Sequence, residues 1–203
     1  MSIPFKRILV DYSERGIVDQ NFYKINPRRQ IPTVVFDDNR VLTETLAIMA
    51  YFADINPASC LAPKSGSFER ANLDQWMSFI LANIYEGELR KNYPQRYSIK
   101  AWLDVQERAE TFVFENYQIL ENACSNDLFF FGETMTVVDI YIWMFINWLE
   151  DYEVMHRQCP KLLALAERIM NRPKILPIHL FNFGPGLGWS AEQINLTSPS
   201  ESL

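Results

Sequence analysis

The chain is poor in the residues that build disulfide frameworks and metal sites. Its three cysteines, Cys60, Cys124 and Cys159, are odd in number, widely spaced and form no C-x-x-C pair. That pattern argues against a disulfide scaffold or a zinc site and fits a reducing compartment. A free, buried thiol is expected at each position. The two histidines, His156 and His179, lie far apart with no partners at metal-ligand spacing, so surface or hydrogen-bonded core histidines are expected and no metal. No apolar run reaches membrane-spanning length, and the opening MSIPFKRILV lacks the long apolar core of a secretory signal. No membrane partner and a cytoplasmic location are therefore the expectation. Positive charge is also in deficit. Nineteen Lys and Arg face 25 Asp and Glu, for a net charge of -6 and a pI of about 5.0, which speaks against a nucleic-acid partner. There is no internal repeat and no low-complexity segment. Gly184-Pro185-Gly186-Leu187-Gly188 is not a phosphate loop, because no strand precedes it and no Lys-Ser/Thr follows.

What is present is a core. The 203 residues are 48% hydrophobic and 14% aromatic, enough for one large globular domain or two small ones. Phe5 to Tyr12 has a β-branched and aromatic centre and reads as a strand. Val18, Phe22 and Ile25 recur at helical spacing, and Asn26-Pro27 ends that short helix. Thr33 to Phe36 is a strand, 37–40 (DDNR) is turn chemistry, and Val41-Leu42 returns. A helix from Thr45 to Ala53 carries Leu46, Met49, Ala50 and Ala53 on one stripe. After the Pro, Gly and Ser of 58–67, every element is helical in period: Phe68 to Lys91, Lys100 to Ala123, Val137 to Leu149, Lys161 to Asn171 and Ile175 to Phe181. Val137 to Leu149 is apolar nearly all round and is expected to be the core helix. The chain thus divides into a small α/β unit at 1–57, a linker at 58–67, an all-helical unit at 68–181 and a tail at 182–203. The fold class is α/β plus all-α.

Three motifs carry more specific information. In Gln30-Ile31-Pro32-Thr33, a proline leads into a strand although it cannot donate to a sheet ladder. Either Pro32 is trans and begins an edge strand, or the Ile31–Pro32 bond is cis and turns the Ile31 N–H and C=O outward. Those four residues leave both open. In Thr43-Glu44-Thr45, a helix begins, and its free N–H groups and positive dipole end suit a carboxylate ligand. Alternatively Thr43 caps the helix and Glu44 merely complements the dipole. In Thr136-Val137-Val138-Asp139, a Thr N-cap with an acid three residues on forms a capping box, with Met135 and Ile140 placed as a hydrophobic staple.

Residues 25–57 as a whole, with Ile31-Pro32, the hairpin and Glu44-Thr45 at their mutual spacing, resemble the glutathione-binding half-site of the glutathione S-transferase family. Leu46-Ala47-Ile48, Phe130 to Glu133, the Thr136–Asp139 box and Asn171-Arg172-Pro173 extend the resemblance over about residues 4–181. The resemblance implies a glutathione S-transferase fold: an abbreviated thioredoxin-like domain at 1–57 followed by a helical-bundle domain. It implies a cis Pro32, an Ile31 backbone that pairs with the cysteinyl part of glutathione, a Glu44 that takes the γ-glutamyl ammonium and a Thr45 that takes its carboxylate. It further implies a homodimer, glutathione as co-substrate and transfer of its thiol to an apolar, electrophilic small molecule. Tyr85, Tyr93, Tyr97, Met77 and Trp102 are candidates for an apolar second-substrate pocket, or else core or dimer face. The family's first strand and helix, which carry its Ser, Tyr or Cys, have no counterpart here; the chain starts at what reads as the second strand. No thiol-activating role is given to Ser2, Tyr12 or Ser13. The alternative is a non-catalytic binding or structural protein of the same fold that has lost this segment. A thioredoxin-type disulfide oxidoreductase lacks the paired cysteine it needs. Glu86 and Glu88, beside Arg90 and Lys91, read as a solvated helix face.

Overall fold

The protein is described from a computed structural model, whose described residues are 3–10, 12, 13, 16, 17, 19–149, 152–184 and 187. The chain separates into two compact units, Met1–Ser65 and Gly66–Leu203.

The first unit holds two small antiparallel hairpins. Strand β1 (Tyr12–Ser13) pairs with β2 (Gly16–Ile17), and β3 (Thr33–Val35) pairs with β4 (Val41–Thr43). Helix α1 (Gln20–Ile25) lies between them in sequence and opens on Asp19, whose carboxylate accepts from the Asn21 and Phe22 N–H groups. The expected strand at Phe5 to Tyr12 does not form over residues 5–10; of its described residues only Tyr12, in β1, is in a strand. Residues 5–10 join no strand, and Phe5 is 84% exposed. A strand exists only through the ladder it shares with a neighbour. Among the described residues β3 has one partner, β4, and none offers a ladder to residues 5–10. The β3–β4 turn uses Asn39 at a positive φ of 64°, and Arg40 closes on Asp38 at 2.7 Å. Helix α2 (Thr45–Asp54) packs on this hairpin through Phe36, whose ring lies 5.4 Å from Tyr51 edge-on and 6.5 Å from Phe52.

The second unit is all helical. Helix α3 (Phe68–Phe79) runs through a π-helical segment, Ile80–Tyr85, into α4 (Glu86–Asn92). Its first half packs on α6, its last half on α5, and the wide turn touches both. Helix α5 is Trp102–Ala123 and α6 is Val137–Ile146, followed by α7 (Tyr152–Gln158), α8 (Pro160–Met170) and α9 (Leu176–Phe183). Helix α6 is the core element, with Val137, Val138, Asp139, Tyr141, Ile142, Trp143, Phe145 and Ile146 all buried. Its start is held by Asp139. One carboxylate oxygen accepts from the Phe130 N–H at 2.7 Å, and the other from the Thr136 N–H and hydroxyl at 2.6 and 3.0 Å. The N–H groups of Lys161 and Leu162 that open α8 are capped from another helix, by Glu121 of α5 at 3.0 Å each. Where α4 meets α5 a glycine is required: a Cβ on Gly87 would sit 2.5 Å from Val113 Cγ2.

Three expectations are corrected. Glu88 is not on a solvated face: it is 1% exposed, although Glu86 beside it stays half-exposed. Cys60 is exposed, whereas Cys124 and Cys159 are buried as expected. Helix α9 extends to Phe183, so the tail expected from 182 begins later; most of the remainder lies outside the described residues. Among the described residues no helix is long and apolar enough to cross a membrane.

Candidate functional site

The antiparallel register of the second hairpin sets the geometry. Thr33 pairs with Thr43, so Pro32 and Glu44 each stand one residue beyond the last pair. Ile31-Pro32 and Glu44-Thr45 are therefore brought to the same open end of the β3–β4 ribbon. The turn residues Asp38 and Arg40 are at the opposite end.

On the β3 side the Ile31–Pro32 peptide is cis, the one of the two alternatives that the family resemblance implies. Ile31 is 63% exposed, and neither its N–H nor its C=O is bonded among the described residues. On the β4 side Glu44 occupies the N-cap position of α2 with φ 68° and ψ 119°. That backbone region is costly for a residue with a Cβ, by about 1–3 kcal/mol, and such strain gathers at functional positions. The alternative in which Thr43 caps α2 is not realised: Thr43 is the last residue of β4, and the helix start carries no side-chain cap. The first N–H groups of α2 thus remain available, with the half-buried Thr45 among them and the exposed Glu44 carboxylate beside them.

Sequence reasoning missed what supports this end. Asn26, read only as the residue that ends α1, is 4% exposed in the middle of an exposed loop. Its Nδ2 donates to the Gln30 carbonyl at 2.9 Å and to Thr33 Oγ1 at 3.0 Å, and its Oδ1 accepts from the Arg28 N–H at 3.0 Å. Arg29 takes a positive φ of 53° within the loop, and its guanidinium lies over the Tyr23 ring at 4.6 Å. The only signal in the sequence was an Asn before Pro27, which a helix end explains equally well.

The second-substrate candidates of the helical unit do not share one environment. Met77 is buried core. Tyr85 is half-buried, 6.1 Å from both Phe145 and Trp148. Tyr93 and Tyr97 are exposed and lie under Arg96 and Arg90 at 4.1 and 5.4 Å. Trp102 is half-buried at the start of α5. Burial and the nearby phenol of Tyr85 raise the Tyr141 hydroxyl well above the usual phenol range. Nor do the buried thiols offer a nucleophile. Burial pushes Cys124 up to about 11 and Cys159 up to about 12, so both stay protonated near neutral pH. His156 is exposed, and His179 is fully buried against Trp143 and Phe183, at 5.9 and 5.6 Å between ring centroids.

A hairpin-and-helix unit that presents an outward cis-prolyl turn beside an uncapped helix start, joined in sequence to an all-α bundle with a capping-box core helix, defines the glutathione-transferase class of fold. Comparison with known proteins agrees. Residues 1–55 match the family model for the glutathione S-transferase N-terminal domain, and residues 100–173 match that for the C-terminal domain. The chain is 23% identical to glutathione S-transferase GstA of Escherichia coli O157:H7 over 177 residues, covering 84% of this chain and 83% of that protein. Among solved structures it is similar to a sphingomonad glutathione S-transferase complexed with glutathione, at 27% identity and a TM-score of 0.70, covering 83% of this chain and 82% of that one. It is equally similar to a ternary complex of BphK, a bacterial transferase, at 25% identity and a TM-score of 0.72, with the same coverage. The chain belongs to the glutathione S-transferase family.

Proposed function

We propose that this protein is a glutathione transferase that holds glutathione at the open end of the β3–β4 ribbon. The observation that carries the reading is the convergence there of an unbonded, outward-facing Ile31 backbone and an uncapped α2 start with a strained Glu44. Glutathione offers a matching set of groups: a peptide N–H and C=O at its cysteinyl residue, and a carboxylate and ammonium at its γ-glutamyl end. Ile31 pairs with the cysteinyl backbone, and Pro32 fixes the turn that exposes Ile31. The Thr45 N–H and hydroxyl take the carboxylate, which the helix dipole also favours. Glu44 takes the ammonium. Glutathione serves as co-substrate: its thiol loses a proton to solvent, and the thiolate forms a C–S bond to the electrophilic carbon of an apolar small molecule as the bond from that carbon to its leaving group, a halide for an aryl halide, breaks and the halide departs with the electron pair. The residue that assists the loss of that proton is unassigned. A homodimer and a cytoplasmic location complete the reading, supported by family membership and by the free thiols.

The test is titration calorimetry with reduced glutathione on the chain as it stands, paired with a conjugation assay against an aryl halide. Saturable binding that is lost in the Glu44→Ala, Thr45→Ala double variant supports the site. Binding without turnover across electrophiles selects the non-catalytic alternative. No binding at millimolar glutathione by folded protein overturns the reading.

A further inference from the structure

Ile31 can act as a backbone partner only if its peptide plane faces solvent, and the structure contains a device that fixes that plane. The Gln30–Ile31 bond is trans, the cis bond being the next one along. In a planar trans peptide the C=O and the following N–H point in opposite directions. The Gln30 carbonyl accepts two bonds from inside the loop, from Asn26 Nδ2 and from Thr33 Oγ1, both at 2.9 Å. With the carbonyl held inward, the Ile31 N–H of the same plane must face outward. The two donors are themselves linked, because Asn26 Nδ2 also donates to Thr33 Oγ1 at 3.0 Å. The result is a closed ring of Asn26, Thr33 and Gln30. The amide orientation of Asn26 follows from its partners. Turned over, its oxygen would meet the Gln30 carbonyl, and its NH2 would meet the Arg28 N–H. A carbonyl that accepts two bonds also polarises its own peptide, which makes the opposite N–H a stronger donor.

We propose that Asn26 and Thr33 are positioning residues that act together, through the Gln30 carbonyl, to aim the Ile31 N–H at the ligand. This rests on the glutathione reading above and assigns a role to residues that touch no ligand themselves. It accounts for a buried asparagine in a loop whose other members, 27–32, are all exposed. It also accounts for a hydroxyl rather than a plain β-branched residue at the first position of β3.

The experiment compares Asn26→Asp, Thr33→Val, their combination and Thr33→Ser by calorimetry with reduced glutathione. It also records the Ile31 amide resonance and the hydrogen exchange of Arg28. Asn26→Asp and Thr33→Val each weaken binding roughly tenfold or more, the scale of one orienting hydrogen bond lost. The double variant is no weaker than the weaker single, because either change opens the same ring. Thr33→Ser binds like the parent. A residue that served stability alone would lower the melting temperature, leave the affinity of the folded fraction unchanged and give additive effects. That outcome overturns the proposal. Thr33→Val retains a β-branched strand residue, so the question stays answerable if Asn26→Asp does not fold. If the parent itself binds no glutathione, the functional reading fails and the proposal is judged on the amide data. An Ile31 resonance that moves in both single variants but not in Thr33→Ser supports it, and one that stays in place refutes it.

Discussion

Replacing Asp139 tests the account of the helical unit most sharply. The side chain is fully buried and accepts from the N–H groups of Phe130 and Thr136 and from the Thr136 hydroxyl. Asp139→Ala leaves two buried backbone donors without an acceptor. At about 1–3 kcal/mol each, that amounts to roughly 2–6 kcal/mol. Set against this is relief of the carboxyl group's burial, which raises its pKa despite the bonds it accepts. The orphaned donors outweigh it, because the protonated carboxyl also accepts hydrogen bonds and would be lost as well. A net cost near ~3 kcal/mol is expected, a large share of a typical domain's 5–15 kcal/mol. Asp139→Asn keeps one acceptor oxygen and turns an NH2 toward the other donors, so it should cost about 1–3 kcal/mol. Urea unfolding followed by tryptophan fluorescence suits the test, because the described tryptophans, Trp76, Trp102, Trp143 and Trp148, all belong to the second unit. The pH dependence adds a second reading. Burial raises this acid in the fold, so the native state holds its proton more tightly than the unfolded state does. Stability from this group is therefore greatest below its ordinary value of 3.8 and falls as pH rises through the higher folded value. The difference between parent and Asp139→Asn isolates that slope. A cost under about 1 kcal/mol for the alanine variant, or the same slope in both proteins, would refute the reasoning.

Further outcomes follow from other contacts. Gly87→Ala should lower stability by about 1–2 kcal/mol, since crowding the stiff Val113 costs about 1–3 and better helix propensity returns at most about 1; a higher urea midpoint would contradict the close approach of α4 and α5. Glu121→Ala should cost about 0.5–2 kcal/mol by uncapping α8, and Glu121→Gln less; equal losses would show that the cap is not the reason. Glu44→Gly should leave the first unit as stable or about 1 kcal/mol more stable, because it releases a positive φ, yet weaken glutathione binding in calorimetry. A thiol-specific reagent should label Cys60 alone in native protein and all three cysteines in denaturant; fast native labelling of Cys124 or Cys159 would show that the core opens.

What the sequence revealed divides along physical lines. The β3–β4 hairpin, α2 and α6 were legible because local signals agree there: turn chemistry at 37–40, an apolar stripe, and a capping box before an apolar run. The strand expected at 5–12 failed over 5–10 because residue preference cannot report whether a partner strand is in reach. Glu88 was misread because charge is a property of the residue, while its burial is decided by α5 across the interface. Helix α7 (Tyr152–Gln158) is short and mostly polar, with too few apolar positions to show a period. Of the candidate site, Ile31, Pro32, Glu44 and Thr45 stood out as types at a spacing. Asn26 did not, because its work is done by a side chain folded back on residues 28, 30 and 33, and no periodicity marks that.

The wide turn at Ile80–Tyr85 bears on how this chain can vary in length. A π turn bonds residue i to i+5 and so accommodates one residue more than an α turn. The phase of the helix slips there, and one continuous rod addresses α6 before the slip and α5 after it. Deleting one residue between 80 and 85 would let the wide turn close as an ordinary α turn, with α3 and α4 in their present places and the Gly87 position still against Val113. The stretch is thus a place where the chain can lose one residue without moving the helices on either side. A relative that is one residue shorter there can run a plain α-helix and still seat its α5 in the same way.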